Sequence, residues 1–265
     1  MLKSVILFLT ALFFSCNQDY VQPSDNPTSP NNSEISNNNE SVANTTSNNK
    51  TEDSELKKRI KRFYNFSENE FDYTKNEFRN IKEDQKFLKY IFSIPRQKII
   101  RDLVVLQNED KNDYEIQSKT SYLLIKLKHN EKANQKKLLS TFALYEDKAE
   151  SKFEKDHILH LISDIIKVND SDGSFLTEAF DLVNEVDGAY AESFSGMVTD
   201  EFKKNPKRFL ICLKQKPQEI IDKVISHLFY AERKEILLKS LTSIPKTFDA
   251  YDLVREIQIY KNNVN

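Results

Sequence analysis

From about residue 54 to the end of the chain, apolar residues return every third or fourth position. That period belongs to amphipathic helices and not to half-buried strands. Leu56, Ile60 and Phe63 share one face of a first helix, which Asp53 or Ser54 can cap. Ser67-x-x-Glu70 is a capping-box signature for a second helix, with Phe71, Phe78, Ile81, Leu88 and Phe92 as its stripe. Pro95 closes that helix and opens a third, carrying Ile99, Ile100, Leu103 and Leu106. Further stripes come after it: Ile116, Thr120, Leu123, Leu124 and Leu127; Leu138, Leu139, Phe142 and Tyr145; Ile158, Leu161, Ile162 and Ile165; Leu176, Ala179, Phe180 and Val183; Tyr190, Phe194, Met197 and Val198. Asp172-Gly173 and Asp187-Gly188 break the pattern, and Pro206, Pro217 and Pro245 each suit a first helical position. Only Tyr122 to Leu127 is also compatible with a strand by composition. The pattern predicts an all-α domain over 54–265, either a multi-helix bundle or an irregular α–α superhelix. One internal echo favours degenerate repeats: Leu88-Lys89, Ser93-Ile94-Pro95-Arg96 and Asp102-Leu103-Val104 recur as Leu238-Lys239, Ser243-Ile244-Pro245-Lys246 and Asp252-Leu253-Val254.

The first 53 residues read differently. Lys3 precedes an apolar run from Val5 to Phe14, the length of a signal-peptide core and too short for a membrane span of roughly 20 residues. Polarity begins at Asn17-Gln18-Asp19, and from Tyr20 to Asp53 the chain is rich in Asn, Ser, Thr and Pro with no hydrophobic period. Such a segment cannot bury enough apolar surface to offset its ordering entropy, so it is expected to be a disordered tether. As a flexible coil it would span about 30 Å on average. Fully stretched it would reach about 110 Å.

Residues 1–19, ending in Phe13-Phe14-Ser15-Cys16 and its polar successors, resemble the signal of bacterial lipoproteins. That family carries a lipobox of the type Leu-small-small-Cys. Here Ser15 matches the small residue before the cysteine, while Phe13 stands where Leu is usual and Phe14 where a small residue is expected. The resemblance implies removal of residues 1–15, a lipid on Cys16 and attachment of the chain to a bacterial cell-envelope membrane. Residues 16–53 would then be the lipidated N-terminus and tether. Each buried acyl methylene contributes about 0.8 kcal/mol, so the several chains that such a cysteine carries make a stable anchor.

Composition narrows the chemistry. Three glycines in 265 residues leave no Gly-rich phosphate loop and little material for hairpin turns. A net charge of −2 argues against a nucleic-acid partner, which needs a positive excess to displace counterions. With Cys16 lipidated, Cys212 stands alone inside the apolar run Phe209 to Leu213, the setting of a buried thiol rather than a nucleophile. No cofactor and no catalytic constellation is indicated.

A few polar groupings remain. His157, His160 and Asp164 lie at i, i+3 and i+7, a spacing from which two imidazoles and a carboxylate can hold a metal if a fourth ligand joins them. Lys57, Lys58, Arg59, Lys61 and Arg62 form the densest basic stretch, suited to anionic headgroups or an acidic partner. Glu178, Asp181 and Glu185 share a helix face and complete an amphipathic helix. Asp170-Ser171-Asp172-Gly173 fails as a calcium loop, because Val168 and Ala179 fall where the end carboxylates are required. Ser193, Ser195 and Gly196 suit close approach of two helices and have no local base. The expected function is a lipid-anchored helical domain that binds an envelope or extracellular macromolecule. The alternative is a small-ligand or metal-binding domain centred on His157 and His160.

Overall fold

Helix succeeds helix through the residues that the computed structural model describes, which are 55–64, 81–146, 154–231 and 234–263, all in one unit, Thr45–Asn265. The expected signal and tether, the Ser67–Glu70 capping-box signature, Phe71 and Phe78 lie outside the described residues. Residues 55–62 form α1. The chain continues through α2 (Ile81–Ser93), α3 (Arg96–Glu109), α4 (Tyr114–Lys126), α5 (Glu131–Leu144) and α6 (Lys155–Asn169). Next come the short α7 (Ser174–Ala179), a 3-10 turn (Phe180–Asn184), α8 (Gly188–Lys204) and α9 (Pro206–Leu213). The chain ends in α10 (Gln218–Ala231), α11 (Lys234–Thr242) and α12 (Tyr251–Asn263). No strand occurs among the described residues, and the segment from Tyr122 is helical.

The protein is an irregular multi-helix bundle. α4 packs against α3, α5 and α6; α6 carries the chain on to α7 and α8; α10 lies against α8 and the 3-10 turn, with α11 and α12 beyond it. α4 is buried on every side, from Ile116 to Ile125, although its middle reads Gln117-Ser118-Lys119-Thr120-Ser121. Each of those polar side chains has an internal partner. Thr120 Oγ1 donates to Ile116 O at 2.6 Å, Ser118 Oγ to Glu115 O at 3.0 Å, and Ser121 Oγ accepts from Gln107 Nε2 at 2.9 Å. Burial of a polar group is tolerated only on those terms.

Glycine scarcity shapes how the helices end. The left-handed residue that usually closes a helix is glycine. Here both glycines with positive φ, Gly173 and Gly188, sit at helix starts. Tyr64 (φ 60°) and Lys128 (φ 51°) take the closing role instead. At the end of α4, His129 N donates to Leu124 O and Lys128 N to Ile125 O, a Schellman arrangement with lysine in the glycine position. Side chains from other helices supply the remaining donors. Gln117 Nε2 donates to Gln107 O and Asp110 O at the end of α3 (2.7 and 3.0 Å), and Arg96 Nη2 to Leu127 O at 2.8 Å. At the end of α6, Lys204 Nζ donates to Lys167 O at 2.9 Å, and Arg208 Nη2 reaches Asp170 O.

The structure corrects some sequence expectations. Among the described side chains of α2 the buried apolar one is Ile91, with Phe87 and Leu88 partly buried, and Phe92 is exposed. Pro95 leads straight into α3, with Ile99 N bonded to Pro95 O. Pro245 instead opens two consecutive turns, Phe248 N to Pro245 O and Tyr251 N to Phe248 O, and α12 begins only at Tyr251. The echoed segments therefore make different corners. Gly196 is exposed with no neighbour near its missing side chain, so it mediates no close helix approach.

Gly173 is constrained on two counts. Its φ is +81°, and a Cβ there would overlap Cys212 Sγ, whose thiol donates to Gly173 O. Gly173→Ala should destabilise the domain by about 2–4 kcal/mol through left-handed strain and overpacking. In urea unfolding, adding Cys212→Ala should recover part of that loss, giving a coupling of about 1 kcal/mol or more. Strict additivity would show that the sulfur is not the obstacle.

Candidate functional site

The basic stretch is divided by the helical period of α1. Leu56 and Ile60 face inward, and Lys57 and Lys61 flank them. Lys57 Nζ meets Asp110 Oδ1 at 2.5 Å, and Lys61 Nζ meets Asp113 Oδ2 at 2.9 Å, both at the α3–α4 corner. Burial alone would push the Asp113 carboxyl up, but its bonds to Lys61 and to the Ile116 amide hold it below the usual range. The same hydrogen bond raises Lys61. An open cleft of about 1010 Å³ lies at this corner, lined by Asp110, Asp113, Glu115 and Tyr145 among others. Of its five lining carboxylates, Asp110, Asp113 and Glu115 are engaged by Lys57, Lys61 and Lys119.

Lys58, Arg59 and Arg62 face outward. The Arg59 guanidinium lies 4.5 Å from the centre of the Tyr90 ring on α2 and bonds Glu55 at 3.0 Å. Arg59, Arg62, Lys86 and Tyr90 line one shallow groove between α1 and α2. Opposite the buried row of α2 stand Lys82, Lys86 and Lys89, at i, i+4 and i+7, all exposed. The amino-acid pattern does not single out these three, because on one helix their spacing looks like any solvated face.

Lys119 lies behind this surface. It has no solvent exposure, and its Nζ donates to Lys61 O at 2.9 Å and to Glu115 Oε1 at 2.7 Å. Lys61 O is one of the last carbonyls of α1, so the buried ammonium closes that helix and complements its dipole. Burial lowers the Lys119 pKa to about 8. Beyond it, Tyr64 N donates to Asp84 Oδ1 and Tyr64 Oη to Asp164 Oδ2, both at 2.8 Å.

The three residues read as metal ligands have different occupations. His157 is buried, and its Nδ1 accepts from Glu154 N at 2.8 Å as half of a reciprocal capping box that starts α6. Burial lowers its pKa to about 3, so the ring is neutral at ordinary pH. His160 is exposed, and Asp164 is bonded to Tyr64. Among the described residues no group of three or more His, Cys, Asp or Glu is arranged to hold a metal ion.

Two further polar centres join distant helices. Asp170 accepts from Phe175 N and Leu176 N at 3.0 and 2.9 Å, starting α7, and from Arg208 Nη2 at 2.6 Å. Arg208 also approaches Glu201, whose carboxyl is raised by burial. Ser195 Oγ lies 2.7 Å from His227 Nδ1, a pairing between α8 and α10 that no local motif announces. The hydroxyl donates to Ala191 O at 2.6 Å, so its proton is not directed at the imidazole. With Ser195 buried and His227 half-buried, the pair fastens two helices. Glu178, Asp181 and Glu185 rim a shallow groove against α5, where Asp181 pairs with Lys216.

Comparison with family models, curated proteins and solved structures finds no match to this chain.

Lys119→Met should cost about 2–4 kcal/mol, because it leaves Glu115 and the Lys61 carbonyl without their buried donor. The native protein also carries a pH signature. The folded pKa of about 8 lies below the ordinary lysine value of 10.5, so between these values the unfolded chain binds more protons and stability from this group rises with pH. The stability difference between wild type and variant should therefore widen from pH 7.5 to pH 9.5, by about 2 kcal/mol at most. For His157 the unfolded chain likewise binds more protons, and stability falls as pH drops from 6.5 toward 3. His157→Asn should flatten that acid limb in thermal unfolding scans.

Proposed function

We propose that the chain is a lipid-anchored protein of the bacterial cell envelope whose helical domain binds another macromolecule. The address rests on the lipoprotein-like segment ending at Cys16 and on the polar tether between it and α1. No helix among the described residues is long and apolar enough to cross a membrane. Attachment in this reading therefore belongs to the acylated cysteine.

The observation that carries the binding role is apolar exposure on the last three helices. Tyr230 on α10 is 70% exposed, with Ile236 on α11 and Ile259 on α12 also turned to solvent. α10, α11 and α12 pack in series, and Phe229 on α10 stacks on Tyr260 on α12. Exposed tyrosine is a residue type enriched at protein-binding hot spots.

Intact mass of the protein from its host's membranes should show a mature chain beginning at Cys16 with an acyl addition, absent in Cys16→Ala. An unmodified chain in the soluble fraction would remove the anchor. A photo-crosslinking residue at position 230 or 259 should capture an envelope partner that the same residue at exposed position 207 does not. Equal capture at all three positions would remove the proposed contact surface.

A further inference from the structure

The outward faces of α1 and α2 form a second surface with a different chemistry. Their exposed charged residues are six cations, Lys58, Arg59, Arg62, Lys82, Lys86 and Lys89, against two carboxylates, Glu55 and Glu83. Across the described residues of these two helices that is an exposed excess of four positive charges, in a chain whose net charge is −2. Glu55 and Glu83 each bond a neighbouring cation, Arg59 and Lys86. Lys58, Arg62, Lys82 and Lys89 meet no carboxylate among the described residues. Two aromatic side chains flank the α2 lysine row, Tyr90 at 37% and Phe92 at 42% exposure.

We propose that this α1–α2 face docks on the anionic headgroups of the membrane that holds the protein. Lysine and arginine attract acidic lipid within a Debye length, and exposed aromatic rings settle at headgroup level. The excess of cations suits an extended anionic surface, and in the anchored reading the membrane is the nearest such surface. Position supports it as well. α1 begins 39 residues after Cys16, and a coil of that length spans about 30 Å on average, so in the anchored reading the face meets the membrane at high effective concentration and weak attraction suffices. This inference rests on the lipid-anchored reading for its setting, while its chemistry can be tested without the lipid.

The test uses the full-length Cys16→Ala chain, which has no acyl group, in co-sedimentation with vesicles of phosphatidylcholine alone or mixed with phosphatidylglycerol. Binding is expected to the mixed vesicles and not to the neutral ones, and to weaken as salt is raised. Each headgroup-facing cation should contribute about fivefold to partitioning, so Arg62→Gln, Lys82→Gln and Lys89→Gln together should lower it about a hundredfold. A control triple, Lys132→Gln, Lys136→Gln and Lys207→Gln, changes net charge equally and should leave binding unchanged. Equal loss in both triples would reduce the effect to overall charge and overturn the assignment. Equal binding to neutral vesicles, or none to anionic ones, would overturn it too, the last outcome returning the face to an acidic protein partner. Failure of acylation at Cys16 would appear in the intact mass and leave these vesicle outcomes readable.

Discussion

One ammonium group, that of Lys119, holds the entry of the domain together. It sits with no solvent exposure in the buried middle of α4 and closes α1 by donating to the Lys61 carbonyl, with Glu115 as its counter-charge. Burying a lone charge is costly, so this lysine is retained only where a carboxylate and a helix C-terminus both receive it. Around it α1 is pinned from three sides. Lys57 and Lys61 reach the α3–α4 corner, Phe63 packs on Phe87 and Tyr122, and Tyr64 is bonded to both Asp84 and Asp164. The first described helix is thus an integral part of the bundle.

The same device recurs at three further helix ends. Gln117 closes α3, Arg96 closes α4, and Lys204 with Arg208 closes α6. Each bond joins one helix to another, so helix termination and tertiary packing form together. Such contacts add modestly to net stability, yet leaving any one acceptor unpaired in the interior carries the full desolvation penalty. A bundle organised this way has few alternative packings open to it.

How much of the fold the amino-acid pattern discloses depends on the range of the interactions concerned. Helix starts are legible because their chemistry is local. Asp113 accepts from Ile116 N, Asn205 accepts from Arg208 N, and Pro206 begins α9 where its missing N–H costs nothing. The polar middle of α4 is illegible as core, since Gln117 to Ser121 become buried only when other helices answer their hydrogen bonds. Pro95 and Pro245 stand in near-identical local sequences, yet one opens a helix and the other a pair of turns that delays α12 until Tyr251. For the candidate surfaces, the basic run of α1 is visible in the sequence. Its division into inward-reaching Lys57 and Lys61 and outward Lys58, Arg59 and Arg62 needs the position of the α3–α4 corner. The lysine row of α2 gains meaning only beside α1, through Arg59 and Tyr90.

In functional terms, the chain offers a proposed anchored end, a cationic face on its first two helices, and exposed aliphatic and aromatic side chains on its last three. The cationic face depends on α1 staying docked, since an undocked α1 would separate its cations from those of α2. Native-state hydrogen exchange tests that most directly. The amides of Ile60 and Phe63 should exchange only through global unfolding, at the same free energy as Leu123 and Leu124 in α4. Exchange of α1 through a lower-energy local opening, with α4 still protected, would contradict the account and show that Lys119 closes a helix the domain does not need.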